Sequence, residues 1–412
     1  MTLAILVAFW VSIALIVYAY LAYPLLVDWV ARIRPRTVKR QLSNQAAELP
    51  VVTVIIPAHN EERWIERKIE NTLALDYPHE RMQVLVASDG STDRTVEIAK
   101  QFASRGVEVV HYPERAGKVA TLNRTVPCAA GDIVFFTDAN ALLDADALRL
   151  LIPHFNDPQV GCAGGNRICL ATNNSSTEGE SLYWRYEAWI RYSESRLHSG
   201  LGAYGQIFAV RRYLFPYVPA ISDDFPIPMK ILVSTGARTV FEPRAKASIP
   251  AALTLRQEWE RKVRSHVAFL YDLSHLKKGL NPLTSRIWWE FWSHHMFRMF
   301  VPSAMLVALA VSPWLWRAGM VYQLALCGQL LFYVSALAGY LLIRRGIRWR
   351  PLYLCLYFMF ANLAVAQAWI RWFRGGNFHT WQRTERVVPH AAAAGRATEN
   401  PEDPRLASSN NT

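Results

Sequence analysis

Four stretches without a single Asp, Glu, Lys or Arg constrain this chain more than any other feature. They are Met1–Val27, Met299–Trp316, Ala318–Ile343 and Pro351–Ile370, with 27, 18, 26 and 20 residues. As helices these lengths suit roughly 30 Å of hydrocarbon, where every backbone amide must be satisfied within its own segment. An integral membrane protein is therefore expected, with a transmembrane helix over 1–30, a soluble domain over 44–280 and membrane helices over 299–373. The first stretch lacks a basic leading region and a small-residue cleavage site, so it reads as an anchor rather than a signal peptide. Arg32, Arg34, Arg36, Lys39 and Arg40 follow it with no acid among them. By the positive-inside rule this puts the soluble block in the cytoplasm, on a multi-pass protein of the cell membrane.

The net charge of +12 fits either nucleic acid or an anionic bilayer surface on composition alone. Its placement beside the apolar runs, rather than along a groove, favours the lipid bilayer and speaks against nucleic acid. The five cysteines show neither paired spacing nor C-x-x-C, so no disulfide framework or zinc site is indicated, in keeping with a reducing compartment. Arg286–Arg298 alternates bulky aromatics with polar groups. This suits either an amphipathic helix in the headgroup layer over 286–298 or the first turns of the next span. The last apolar run has arginines on both flanks, which leaves a crossing and a re-entrant or interfacial course both open. From about Pro389 the composition turns Ala-, Asn- and Ser-rich without apolar periodicity, and 389–412 is expected to be a disordered tail.

Within the soluble block, short β-branched runs alternate with amphipathic helical patterns: VVTVIIP, QVLVASD and VEVVH are each followed by a helix signal, the first opening at Asn60, and DIVFFTD closes the series. That alternation predicts βαβ units and an α/β fold on a mainly parallel sheet. Ligands of such sheets sit beyond the carboxyl ends of the strands. Three strands deliver polar groups there: His59-Asn60-Glu61, Asp89-Gly90-Ser91 and Asp138-Ala139-Asn140. Helix capping accounts for Ser91, Thr92 and Asp93 but leaves Asp89 at a strand tip, where it can accept from the imide N–H of a uracil. Asp138 and Asn140, two apart, share a side if the strand continues and can then offer oxygens to one divalent cation. Lys118 follows Gly117 in the first turn of a helix, against the helix dipole, which a bound diphosphate would resolve. Asp223 and Asp224 lie between Ile221 and Phe225, so one of the pair is placed to act as a base; an exposed acidic turn is the alternative. Arg261 and Arg264 share a helix face, suited to a pyrophosphate or to lipid headgroups.

In order, P-A-H-N-E-E, D-G-S-T-D, G-K-V-A-T-L-N, T-D-A-N, G-A-Y-G-Q-I-F-A-V-R-R, S-D-D and R-x-x-R resemble the membrane-integrated family 2 inverting glycosyltransferases, which include bacterial cellulose, hyaluronan and poly-N-acetylglucosamine synthases. The resemblance runs from about Val51 to His266. It implies a GT-A fold, a nucleotide-sugar donor, commonly a UDP-sugar, and Mg2+ or Mn2+. It also implies a saccharide or polyprenol-linked acceptor at the cytoplasmic membrane face. Carried over by position, Asp89 and Lys118 bind the donor, with Glu61 beside them, and Asp138 and Asn140 hold the metal. Asp224 is the base with Asp223 as its acidic neighbour, and Arg261 and Arg264 hold the diphosphate. Asn140 replaces the family's second metal aspartate. Ser265 stands where the family has a tryptophan, which favours addition of one or a few sugars over processive extrusion. A polyprenyl-phosphate glycosyltransferase and a catalytically silent membrane scaffold are the competing readings.

Overall fold

The structure, a computed structural model, describes residues 2–36, 49–170, 176–250, 255–274, 285–347 and 349–375. The tail expected over 389–412 lies outside them. Near the N-terminus, α1 (Thr2–Val17) and α2 (Tyr23–Ile33) are joined by a π-helical turn into one stretch, Leu3–Ile33, long and apolar enough to cross a membrane.

The soluble block opens with β1 (Val52–Ala58), α3 (Ile65–Leu73), β2 (Met82–Asp89), α4 (Thr95–Lys100), β3 (Val107–Tyr112), α5 (Lys118–Thr125) and β4 (Ile133–Phe136). It continues with β5 (Leu142–Leu143), α6 (Ala147–Leu151), β6 (Val160–Leu170), α7 (Ser176–Leu197), β7 (Phe208–Arg211), α8 (Pro226–Thr235), β8 (Arg238–Pro250) and α9 (Leu255–Ser274). The strands form one sheet in the order β3-β2-β1-β4-β7-β6-β8-β5. Strands β3, β2, β1 and β4 are all parallel, with Ile55 beside Leu85 and Phe136; β7 runs antiparallel to both β4 and β6.

Period two along the buried strands divides the core. Val54, Ile56, Val84, Val86 and Phe135 face α3, α4 and α6, while Ile55, Leu85, Ala87, Val134 and Phe136 face α5 and α8. Both faces are therefore covered, and the carboxyl ends of β1, β2 and β4 stand side by side at one edge, which is where a site can form.

After the sheet, α10 (Trp288–Phe291), a π-helical turn and α11 (Phe297–Val311) belong to a single helical stretch, Trp288–Ala318. The amphipathic segment predicted over 286–298 is thus not a separate helix, because its polar groups turn inward. Glu290 and His294 are buried, and His294 and Arg298 pair with Glu187 and Glu194 of α7. Then come α12 (Met320–Arg344) and α13 (Arg350–Phe373), each also of membrane-crossing length and apolarity. One face of α13 lies against the charged helix α9: Trp259 packs on Phe360, and Val263 and Val267 on Ala364 and Ala368.

Candidate active site

The edge is assembled loop by loop. After β1, Asn60 takes a left-handed conformation at φ 54° and its Oδ1 accepts from Thr92 N at 2.8 Å, while Glu61 N donates to Thr95 Oγ1 at 2.7 Å. Ser91, Thr92 and Asp93 are absorbed by these turns; Asp93 Oδ1 accepts from Thr95 N at 3.0 Å. Gly90 has φ 63°, and a Cβ there would lie 2.8 Å from Arg115 N, so only glycine lets the two loops meet. Glu61 itself is half-buried.

Asp89 does something the sequence does not suggest. Its Oδ1 accepts from Ala116 N and its Oδ2 from Gly117 N, both at 2.8 Å, and Arg124 lies 3.4 Å from Oδ1. With its side chain 6% exposed, the carboxylate braces the loop that launches α5.

That loop delivers Lys118 to the centre. Its Nζ stands 2.5 Å from Asp138 Oδ1, 2.8 Å from Asp223 Oδ2 and 3.3 Å from the carbonyl of Gly205. Burial alone would depress the Lys118 pKa, but the two carboxylates outweigh it and hold the ammonium charged, above the ordinary lysine range. Asp138 Oδ2 accepts from Gln206 Nε2 at 2.8 Å. The strand does not continue through this segment as predicted: β4 ends at Phe136, and Asp138 and Asn140 lie in the turn that follows. Lys68, fully buried on α3, fixes that turn by donating to Thr137 Oγ1 and the Ala141 carbonyl, both at 2.7 Å.

The acidic pair sits opposite. Asp223 is 5% exposed, and burial pushes its carboxyl up to about 6 despite the opposing pull of Lys118. The pKa of Asp224 is also raised, by burial first; Lys118 and Arg191 pull it down, and Asp272 and Asp138 push it up. The reading of an exposed acidic turn does not fit this burial. Asp272, near the end of α9, is 1% exposed and accepts from Ile221 N at 3.0 Å and Ser222 Oγ at 2.5 Å, which ties the acidic loop to that helix. From the other side, Ala203 N donates to the Asp224 carbonyl at 2.7 Å.

Gly205 closes the gap between the halves. A Cβ added there would lie 3.0 Å from Asp223 Oδ1 and 3.2 Å from Lys118 Nζ. Gly205→Ala is therefore expected to spread the Lys118 and Asp223 side chains and to lower turnover at least tenfold, with an unchanged circular dichroism spectrum; wild-type turnover would show that this spacing does not matter.

Arg261 and Arg264 both lie on α9. Arg261 pairs with Glu258 one turn earlier, through Nε at 2.9 Å and NH2 at 2.5 Å. Burial, and then Arg261 beside it, lower the pKa of Arg264. They share a helix with Asp272, which holds the acidic loop. Among the described residues, no group of three His, Cys, Asp or Glu side chains could hold a metal by itself.

Lys68, Gln206, Arg191 and Asp272 carry the site without standing out in sequence. Two left a signal: Lys68 falls in the apolar stripe Ile65, Ile69, Thr72 of its helix, and Asp272 sits between buried Leu270 and half-buried Leu273.

Residues 53–216 match the family model described as glycosyl transferase family 2. The chain carries a glycosyl transferase family 2 domain. The match ends before the acidic pair and α9, so those residues rest on their own geometry. Among curated relatives, a poly-beta-1,6-N-acetyl-D-glucosamine synthase of Staphylococcus aureus is 29% identical over 229 residues, 53% of this chain and 54% of that protein. A beta-monoglucosyldiacylglycerol synthase of Nostoc sp. is 29% identical over 174 residues, 41% of this chain and 36% of the relative. The chain thus spans about half or less of the curated relatives it matches. A mannosyltransferase from Pyrobaculum calidifontis, solved in complex with GDP-Man and Mn2+, superposes with a TM-score of 0.65 over 88% of this chain and 98% of its own, at 23% identity. That likeness establishes the GT-A fold of this glycosyltransferase domain.

Proposed function

We propose that the protein transfers a sugar from a nucleotide-diphosphate donor, foremost a UDP-sugar, to a saccharide or lipid-linked saccharide acceptor at the cytoplasmic face of a cell membrane, inverting the anomeric centre. One observation carries this reading: Lys118 stands between Asp138 of the donor edge and the buried Asp223 of the acceptor edge, 2.5 and 2.8 Å away. A half-buried cation between two such edges marks where a diphosphate would meet an acceptor hydroxyl.

In the proposed step, Asp224 takes the proton of the acceptor hydroxyl as that oxygen bonds to the anomeric carbon, and the bond from this carbon to the diphosphate oxygen breaks. Lys118 turns its ammonium to the departing charge, with Arg264 and Arg261 of α9 as further cations for it. Asp223, through Lys118, keeps that ammonium in reach. Asp89 acts one step back, by holding the Lys118 loop, and Glu61 lies beside the donor end.

Asp138 and Asn140 offer only hard oxygen atoms, a set that suits Mg2+ or Mn2+, and the edge already draws a cation in Lys118. With no cluster of three metal-binding side chains among the described residues, such an ion would be held by Asp138 and Asn140 together with oxygens of the donor. When bound it supplies charge neutralisation for the leaving diphosphate. Asn140→Asp adds a carboxylate to the set and is expected to tighten the apparent metal affinity in a Mn2+ titration. An unchanged titration would put this side chain outside the metal's reach.

Membranes containing the protein, given a panel of radiolabelled UDP- and GDP-sugars, are expected to incorporate label from one of them into a product of low molecular weight, since Ser265 offers no aromatic platform for a growing chain. No incorporation from any donor, by protein that still binds the free nucleotides, would refute the transferase reading.

A further inference from the structure

Away from the acidic pair, a cavity of about 300 Å3 opens between α9, α12 and α13. Its wall is Trp259 of α9, Tyr340 of α12, and Tyr353, Leu356, Tyr357 and Phe360 of α13. Arg256 and Glu258 also line it, but Arg256 pairs with Glu260 at 3.0 Å, and the Glu258 carboxylate is engaged by Arg261, with Lys262 3.7 Å away. The rings and Leu356 give the space a mainly apolar surface, which suits a hydrocarbon chain, with the hydroxyls of Tyr340, Tyr353 and Tyr357 among its polar groups. Two of the three walls are helices of membrane-crossing length and apolarity. Tyr340, on its wall, is 41% exposed and continues with exposed Leu337 and Leu341, three residues before it and one after, as one stripe of α12.

From this cavity a row of rings leads back to the catalytic edge. Tyr357 meets Tyr183 of α7 at 5.9 Å between centroids, Tyr183 meets Trp184 at 5.1 Å, and Trp184 meets Tyr204 at 5.6 Å. Cations flank the row, Lys262 over Tyr183 and Tyr357, Arg167 over Trp184 and Arg191 over Tyr204. Tyr204 lies between Ala203, which holds the Asp224 carbonyl, and Gly205, which holds Lys118.

Resting on the transferase reading above, we propose that this cavity seats the hydrocarbon chain of a lipid-borne acceptor, which enters sideways from the bilayer along α12 while its head follows the row of rings to Asp224. The acceptor is thereby a membrane lipid or a sugar carried on one, rather than a soluble saccharide.

The test uses the full chain in lipid nanodiscs with two photoreactive probes, a diacylglycerol with a diazirine in one acyl chain and a polyprenyl phosphate with a diazirine in its chain. At least one is expected to form adducts on peptides containing Trp259 or Tyr353–Phe360, with labelling reduced at least fivefold by the unlabelled lipid; whichever probe does so identifies the chain type. Leu356→Trp, which fills the cavity, should abolish this labelling and raise the KM for the lipid acceptor about tenfold. Asp224→Asn should label like the wild type. Adducts spread over exposed faces of α1 and α12 without competition, or competition by a soluble oligosaccharide instead of lipid, would overturn the proposal. Transfer to a soluble saccharide without cavity labelling would sink the lipid seat alone. Competed labelling without transfer from any nucleotide sugar would sink the transferase reading alone.

Discussion

Asp224→Asn is expected to abolish sugar transfer while nucleotide binding stays near normal. The substitution keeps the size of the side chain, which feels the charges of Lys118 and Arg191, and removes the capacity to take a proton. Loss of a positioned base costs roughly 10²- to 10⁴-fold in rate. Donor binding, measured by calorimetry with the free nucleoside diphosphate, depends on the opposite edge and should change little. Turnover within a factor of a few of wild type would remove Asp224 from the mechanism and turn attention to Asp223, whose carboxyl stands at about 6.

Lys118→Met carries the second large effect, and it has two separable parts. The ammonium is the half-buried cation between Asp138 and Asp223, so its loss should weaken nucleotide-diphosphate binding and turnover together, by about 10²-fold or more in kcat/KM, a size typical of removing one charged stabilising group. The other part is a change in pH dependence. Burial raises the pKa values of Asp223 and Asp224, and Lys118 is the largest influence pulling both down. Because the base must be ionised, wild-type turnover should fall, as pH drops, at a pH above the ordinary carboxylate range, where the raised Asp224 takes up a proton. Removing the cation makes ionisation harder, so the acidic limb of the residual activity should move to higher pH by about 1–3 units. A limb that stays in place would mean that Lys118 does not act on the pair.

Much of this was legible beforehand, for physical reasons. Parallel strands buried on both faces read as continuous β-branched runs, which made β1, β2 and β4 visible; the rule that ligands gather at their carboxyl ends then located Asp89 and Asp138, and a lysine set against a helix dipole singled out Lys118. The structure draws Lys118, Asp138, Asp223 and Asp224 together. Hydrogen bonds across long sequence separations were not legible. Asp89 is spent on two amides 27 and 28 residues later, and Asp272 holds Ser222 from 50 residues away. Periodicity reports the face on which a residue lies, not the loop it will meet. The polar groups of 288–298 misled for a related reason. An aromatic and basic stretch next to an apolar run looks the same whether its charges meet lipid headgroups or the buried carboxylates of Glu187 and Glu194.

The measurement that bears most directly on the proposed chemistry is proton NMR of the first product formed from an anomerically pure α-linked nucleotide sugar, chosen from the UDP- and GDP-sugar panel. A single displacement with Asp224 as base predicts a β-glycoside from the first turnover and its absence with Asp224→Asn. An α-glycoside, or release of free sugar as the sole product from every donor, would contradict it.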